Sequence, residues 1–274
     1  MAAFDNAETQ RFLDHMHQMA DRSEAVILPH FRNKLSVDDK TGKVFFDPVT
    51  EADRHAERVI RDYLGDMLPS HSIIGEEYDD VQHPSDYCWI VDPIDGTRAF
   101  VMGSPLWGTL IGLTFQGQPL LGMMNQPFTG ERFWASPEGC FGRWRGFEGP
   151  LRCAQTLELA EAVVTSTCPD LFASPEDKDA FETLRAQCRM TRYGGDCFNY
   201  CLLAMGGVDL VVESGLQAFD ILPLVPLVER AGGVITDWQG LPLDGEGKNG
   251  LQVIAAASPQ LHEQALKVLS HLSS

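Results

Sequence analysis

The residue types with the clearest chemical use stand in Gly75-Glu76-Glu77 and in Asp92-Pro93-Ile94-Asp95-Gly96-Thr97. Two aspartates three apart on a turn stiffened by proline can share one cation and separate a second. Hard cations take such oxygen ligands, and Mg²⁺ binds carboxylates together with substrate phosphate. Gly96 allows the backbone to come close to a ligand, and Thr97 would offer free N–H groups to an anion if a helix begins there. Glu76 and Glu77 follow the β-rich run HSIIG at a strand end. There they would repel Asp92 and Asp95 unless a cation lay between them. A plainer reading of DPIDGT is a solvated turn, because Asp-Pro and Asp-Gly are turn dipeptides.

Three further acids carry the same ambiguity. Thr50-Glu51-Ala52-Asp53 resembles a capping box, which makes Asp53 a helix cap before it is a catalyst. Asp220, after Ala218-Phe219, suits the N-cap of an apolar helix, as Asp196, after Tyr193-Gly194-Gly195, suits the cap of another. The eight histidines show no ligand spacing, and the chain contains neither a serine nucleophile elbow nor a P-loop.

These acids need elements to position them. Phe12, Met16, Met19, Ser23 and Ile27 recur at helical spacing, which predicts a long first helix ending near Pro29. Residues 32–49 hold the weakest pattern and suit a loop or hairpin. A second helix is expected from Thr50, with Ala52, Ala56, Val59, Ile60, Tyr63 and Met67 on its apolar face. Strands follow at 88–92, 106–115, 119–126, 131–136 and 140–144, with a tight turn at Gln116-Gly117-Gln118. Arg145 to Pro150, polar and glycine-rich, is the candidate boundary between an N-terminal half, 1–148, and a C-terminal half, 149–274. In the second half strands at 162–167, 188–193, 208–213, 234–238 and 251–257 alternate with helices. One helix starts at Ser174-Pro175-Glu176, one spans 196–205, one spans 220–231 and the last is capped by Ser258-Pro259. Strands in a run, then strands alternating with helices, predict an α+β layered sandwich.

Composition narrows the partners. The 274 residues carry a net charge of −18, which disfavours a nucleic-acid surface. The same charge would repel a phosphate ester unless divalent cations became the largest local charges. No apolar stretch is long enough for a membrane span. Seven cysteines, an odd number without a CxxC pair, fit free thiols in a reducing compartment. With no signal-peptide pattern at the N-terminus, a cytoplasmic protein is expected.

The segments GEEY, WIVDPIDGT and AFD followed by AGG, in that order, resemble the inositol monophosphatase family from DPVTEAD at 47–53 to AGGVITDWQG at 231–240. The resemblance implies an αβαβα sandwich, Mg²⁺-dependent hydrolysis of a small phosphate monoester, lithium sensitivity and a homodimer. It implies two or three ions. Glu76 and Asp92 would hold the first with the Ile94 carbonyl, Asp92, Asp95 and Asp220 the second, and Glu76 would help with a third. Asp53 and Thr97 would orient the attacking water. Gly96 and Thr97 would contact the phosphate, and Glu213 would contact the rest of the substrate. Lys40 or Lys43 matches a family lysine near the metals. Phe219 departs from the family's usual tryptophan, which leaves metal binding intact and reshapes the pocket.

A narrower resemblance points within the family. DPIDGTRAFVMGSPLWGTLIGL, YGGDCFNYCLLA and VDLVVESGLQAFDILPLVPLVE are similar to its histidinol-phosphatase branch. Arg98-Ala99-Phe100 replaces the run common in inositol-type members, and Asp196 stands where they tend to carry a small residue. Histidinol phosphate bears an ammonium that Asp196 and Glu213 could meet. Inositol 1-phosphate is the next substrate expected, and a nucleotide or sugar bisphosphate the third. A non-catalytic binding module is the contrasting class, and the full set of acids argues against it.

Overall fold

The computed structural model describes residues 6–33, 37–39, 48–172, 174–244 and 250–270. Lys40 and Lys43 lie outside them. The chain opens with α1 (Asn6–Ile27), whose buried stripe includes Phe12, Met16, Met19, Ser23 and Ile27, as the periodicity predicts. A two-stranded antiparallel ribbon follows, β1 (Val37–Asp39) against β2 (Pro48–Thr50), inside the segment expected to be loop or hairpin. Then comes α2 (Glu51–Met67). Its buried face is not fully the expected one. Met67 is exposed, whereas the acids Asp53 and Glu57 are buried. Apolar periodicity is blind to acids that fold inward onto partners.

Seven strands form the first sheet: β3 (Ser72–Gly75), β4 (Tyr87–Asp95), β5 (Gly108–Phe115), β6 (Gln118–Gln126), β7 (Glu131–Ser136), β8 (Gly139–Trp144) and β9 (Phe147–Pro150), adjacent in that order. The short α3 (Thr97–Met102) lies between β4 and β5. The polar stretch offered as a boundary is therefore a turn and an edge strand, and the division at 148/149 falls within β9. Glycine and charge there mark a sheet edge, which is compatible with both.

The second sheet has five strands in the order β11-β10-β12-β14-β13, with β10 (Val163–Ser166), β11 (Met190–Tyr193), β12 (Leu210–Leu216), β13 (Val234–Thr236) and β14 (Leu251–Ala256). Its helices are α4 (Pro175–Arg185), α5 (Phe198–Ala204), α6 (Ala218–Ile221), α7 (Val225–Arg230) and α8 (Pro259–Ser270). The helix expected over 220–231 is split into α6 and α7. Pro223 and Pro226 lack the N–H groups that one continuous helix would need.

The layers follow from where apolar surface is buried. α1 and α2 cover one face of the seven-stranded sheet around Met16, Met19 and Trp89. α5 and α7 fill the space between the sheets with Phe133, Tyr200, Leu224 and Leu227. α4 and α8 cover the outer face of the second sheet around Phe181, Trp238 and Leu261. The result is the αβαβα sandwich. Among the described residues no helix is long and apolar enough to cross a membrane.

Candidate active site

The parallel register of β3 and β4 pairs Gly75 with Val91, so Glu76 emerges beside Asp92 at the carboxyl ends of both strands. β4 does not stop at Asp92 as expected. It runs on to Asp95 through a bulge, where the pairing with β5 shifts between Asp92 and Asp95. Pro93 cannot donate to the ladder, and its carbonyl accepts the Thr109 hydroxyl at 2.8 Å. The Ile94 N–H turns back to Asp92 Oδ1 at 3.0 Å, and the Thr97 hydroxyl donates to the Ile94 carbonyl at 3.0 Å. Gly96 takes a left-handed conformation, φ +83°. A Cβ there would sit 2.9 Å from the Leu106 carbonyl and 3.2 Å from the Asp196 side chain, so only glycine fits.

The opposing side is supplied by the second sheet. Asp220 lies on α6, where its Oδ2 accepts the Gln217 N–H at 2.7 Å. Gln217, and not Asp220 as expected, is the N-cap of α6; Asp220 is the third residue of the same capping box, a role that uses one of its oxygens. One carboxylate oxygen each from Asp92, Asp95 and Asp220 lie within 4.8 Å of one another. Asp95 Oδ2 also accepts the Cys197 N–H at 2.6 Å. Burial, then Glu76, Asp95 and Asp220, raise the Asp92 carboxyl well above its usual range. Burial, then Asp196 and Asp220, do the same to Asp95. Asp220 is pushed up to about 7, by burial first and then by Glu76, Glu213 and Asp196 against the Gln217 bond. Acids crowded so closely could hold a divalent cation, which would offset both desolvation and mutual repulsion.

Asp53 has a double character. The capping box is present, with Asp53 Oδ2 accepting the Thr50 N–H at 2.9 Å and the Thr50 hydroxyl at 2.5 Å. Its Oδ1 is buried with no partner among the described residues. Burial pushes its carboxyl up to about 6, against the Thr50 bonds and helped by nearby Glu76. A buried, unpartnered carboxylate oxygen beside Glu76 is where water or a cation belongs. All-oxygen donors and no nearby histidine suit Mg²⁺.

A cleft of about 550 Å³ opens over these groups, and Glu76, Asp92, Ile94, Asp95, Gly96, Thr97, Asp196, Glu213 and Asp220 all line it. Asp53 lies outside that lining, next to Glu76. Asp196 is no helix cap: its φ is +45°, and α5 is preceded instead by Cys197 with no side-chain cap. Burial, then Glu213, raise the Asp196 carboxyl to about 7, and the Arg98 charge opposes them. Glu213 is engaged at both oxygens. Its Oε1 accepts the Thr167 N–H at 3.0 Å and the Thr167 hydroxyl at 2.5 Å, and its Oε2 accepts the Tyr200 hydroxyl at 2.8 Å. Leu171, Phe172, Leu216 and Phe219 give the cleft an apolar part. Sequence reasoning missed Thr167 and Tyr200, which reach Glu213 from other elements and leave no local signal. It also missed Glu57, whose signal was available: it stands one helical turn after Asp53, on the same face of α2.

Comparison with known proteins identifies the family of this fold. The model of the inositol monophosphatase family matches residues 8–274. The bifunctional phosphatase IMPL2, chloroplastic, of Arabidopsis thaliana is 39% identical over 271 residues, covering 96% of this chain and 76% of that protein. A histidinol-phosphatase of Chlorobaculum parvum is 34% identical, covering 84% of this chain and 88% of its own. Among solved structures, an inositol monophosphatase from Zymomonas mobilis superposes with a TM-score of 0.84 at 38% identity, covering 95% of this chain and 98% of that one.

Proposed function

Since this chain belongs to the inositol monophosphatase family and is a phosphoric monoester hydrolase, we propose that its substrate is histidinol phosphate. The observation that carries this reading is Asp196. Its backbone is held in a left-handed conformation, it caps no helix, and its side chain lines the cleft beside the clustered aspartates. An acid kept there at the expense of backbone strain has a use in recognition. A leaving group carrying an ammonium provides one, and an uncharged polyol does not. The apolar residues Phe172 and Phe219 would suit a flat ring attached to the same group. The relatives named histidinol-phosphatase support the assignment.

Members of this family depend on Mg²⁺, and the acidic cluster has the donors for it. In this proposal Glu76, Asp92, Asp95, Asp220 and the Ile94 carbonyl would hold two or three ions. Such ions, when bound, lower the pKa of water and screen the charge of the phosphoryl oxygens and the leaving alkoxide. The chain's own groups do the rest. Asp53 Oδ1 and the Thr97 hydroxyl align the attacking water. The N–H groups of Gly96 and Thr97 hold the phosphate, and Asp196 meets the ammonium. Glu213, held by Thr167 and Tyr200, shapes the floor beneath the leaving group. A homodimer belongs to the same reading, and sedimentation analysis tests it.

Inositol 1-phosphate is the second reading, favoured by the likeness to the Zymomonas mobilis inositol monophosphatase. The deciding experiment is phosphate release from both esters, with Mg²⁺ and with excess chelator. Histidinol phosphate should show the higher kcat/KM, and chelation should abolish turnover of both. A higher kcat/KM for the inositol ester would reverse the substrate assignment.

A further inference from the structure

Glu57 is a fully buried acid on α2 that the mechanism above does not use. Its Oε1 accepts Arg61 Nε at 2.7 Å, and its Oε2 accepts the backbone N–H of Glu77 at 2.7 Å. Arg61 continues the grip: Nη1 donates to the Asp79 carbonyl at 2.9 Å and Nη2 to the Tyr78 carbonyl at 3.0 Å. Gly75 completes it from the other side. A Cβ on Gly75 would lie 2.7 Å from Glu57 Cδ and 2.8 Å from Arg61 Nη2, so the pair occupies the space that any larger residue would need. The backbone from Gly75 to Asp79 is thus wrapped onto one carboxylate and one guanidinium, and Glu76 lies within that stretch.

We propose that Glu57, with Arg61, is a positioning residue that aims Glu76 into the cleft and thereby sets the affinity of the site for Mg²⁺. The proposal rests on the reading of Glu76 as a metal ligand. A ligand on a turn without regular pairing has many orientations to lose when an ion binds. Bonds to Glu77, Tyr78 and Asp79 on one side of it, and the packing of Gly75 against the pair on the other, remove that disorder beforehand. If the pair only stapled α2 to β3, its loss would lower stability and leave the affinity of the folded protein for the ion unchanged.

Three variants of the full chain separate these roles: Glu57→Gln, Gly75→Ala and Glu76→Gln. Binding of Mg²⁺ alone is measured by calorimetry and by the rise in melting temperature that the ion causes. The Mg²⁺ concentration for half-maximal phosphate release is measured alongside. Glu57→Gln keeps the shape but sets an amide N–H₂ against a donor, and should weaken Mg²⁺ binding by roughly 10-fold or more. Its kcat at saturating Mg²⁺ should stay close to wild type. Gly75→Ala should have the same signature by pushing the carboxylate aside, and the double variant should be no worse than either alone, because both act on one contact. Glu76→Gln should weaken binding and also lower kcat at saturation. Wild-type Mg²⁺ affinity in Glu57→Gln beside weakened affinity in Glu76→Gln overturns the positioning role. Wild-type affinity in both overturns the ligand reading itself. Should Glu57→Gln not fold, Gly75→Ala decides, since it leaves both charges in place: unchanged affinity there overturns the proposal.

Discussion

The two sides of the cleft treat their acids in opposite ways. On the side of the seven-stranded sheet, Asp92 and Asp95 crowd against Glu76 and against Asp220, and burial with mutual repulsion raises both carboxyls. On the side of the five-stranded sheet, acids are answered by the protein itself. Glu213 accepts from Thr167 and Tyr200, and Asp177, nearby on α4, accepts from Ser214 and Gln252. Crowded charge suits the binding of cations, whereas charge met fully by protein donors is architecture that holds a shape. Two acids are exceptions on the second side: Asp220, which joins the aspartate cluster, and Asp196, strained and only partly offset by Arg98. In the proposed reading this contrast divides the chemistry from the recognition, and Asp196 is the residue that would link them.

The largest effect is expected at the most crowded acid. Asp92→Asn removes a charge shared between the ligand sets, and with it several kcal/mol of cation-mediated stabilisation, which is about 10³-fold or more in kcat. Its Oδ1 can still accept the Ile94 N–H, so the bulge should survive. The carboxyl is raised in the folded state, so at neutral pH its charge works against the fold when divalent ions are absent. The metal-free melting temperature should therefore rise in Asp92→Asn while turnover is lost. A fall in both would make Asp92 a structural acid like Glu213 and erase the difference between the two sides.

Next in size is Thr97→Ala. As a water-aligning hydroxyl, its loss should lower kcat by roughly 10²-fold, with KM little changed. A raised KM at unchanged kcat would move Thr97 from water to phosphate. The Thr97 hydroxyl also donates to the Ile94 carbonyl. Thr97→Ser, which keeps that bond, should recover most of the loss.

The same contrast explains what could be read from the sequence. The first side is built from contiguous residues: a strand end, a proline, a bulge and a glycine at positive φ all lie within DPIDGT, so the segment carries its own geometry. The second side is assembled from β10, α5, β12 and α6, and its contacts cross long gaps, such as the 46 residues between Thr167 and Glu213. No local pattern announces those. Asp196 looked like a cap because Gly-Gly-Asp before an apolar helix is a capping pattern. Only the φ of +45° removes it from that duty. Asp53 shows that the two roles can coexist, one oxygen capping and the other left over. The αβαβα layering was legible from the order of periodicities and the family resemblance. The split of the 220–231 helix was legible too, from Pro223 and Pro226, but was overridden by the apolar run around them.

Asp196→Asn tests the link between the sides. A charge-assisted hydrogen bond to an ammonium is worth about 1.5–3 kcal/mol when buried, or roughly 10- to 150-fold in kcat/KM. The variant should lose that much on histidinol phosphate and little on inositol 1-phosphate. With Asp196 neutral, Arg98 would also face the amine with less to offset it. A loss equal on both esters would assign Asp196 to the aspartate cluster, through its neighbour Asp95, and leave recognition to other groups.

The smallest effect on catalysis is expected from Tyr200→Phe, which removes a donor from the answered side. The Tyr200 hydroxyl is buried and donates to Glu213 Oε2 at 2.8 Å, while Thr167 serves Oε1 alone. Burial raises the Glu213 carboxyl, and the bonds from Thr167 and Tyr200 oppose that rise. Without Tyr200 the rise is larger. A carboxyl whose folded pKa is raised disfavours the fold once the pH exceeds its unfolded value, because the unfolded chain ionises first. The stability deficit of Tyr200→Phe should then be greatest above that raised folded value, about 1.5–3 kcal/mol for a bond to a charged group. It should shrink as the pH falls through the raised folded value and be absent below the ordinary carboxylate value of 4.5, where Glu213 is protonated in both states. Denaturant unfolding of wild type and variant at a series of pH values measures this directly. At neutral pH the folded variant should retain most of its kcat/KM, since Thr167 still holds the carboxylate in place. A deficit independent of pH would mean that Glu213 does not titrate with folding, so that Tyr200 contributes packing alone. A collapse of activity with little change in stability would move Glu213 to the reactive side and break the division between the two walls.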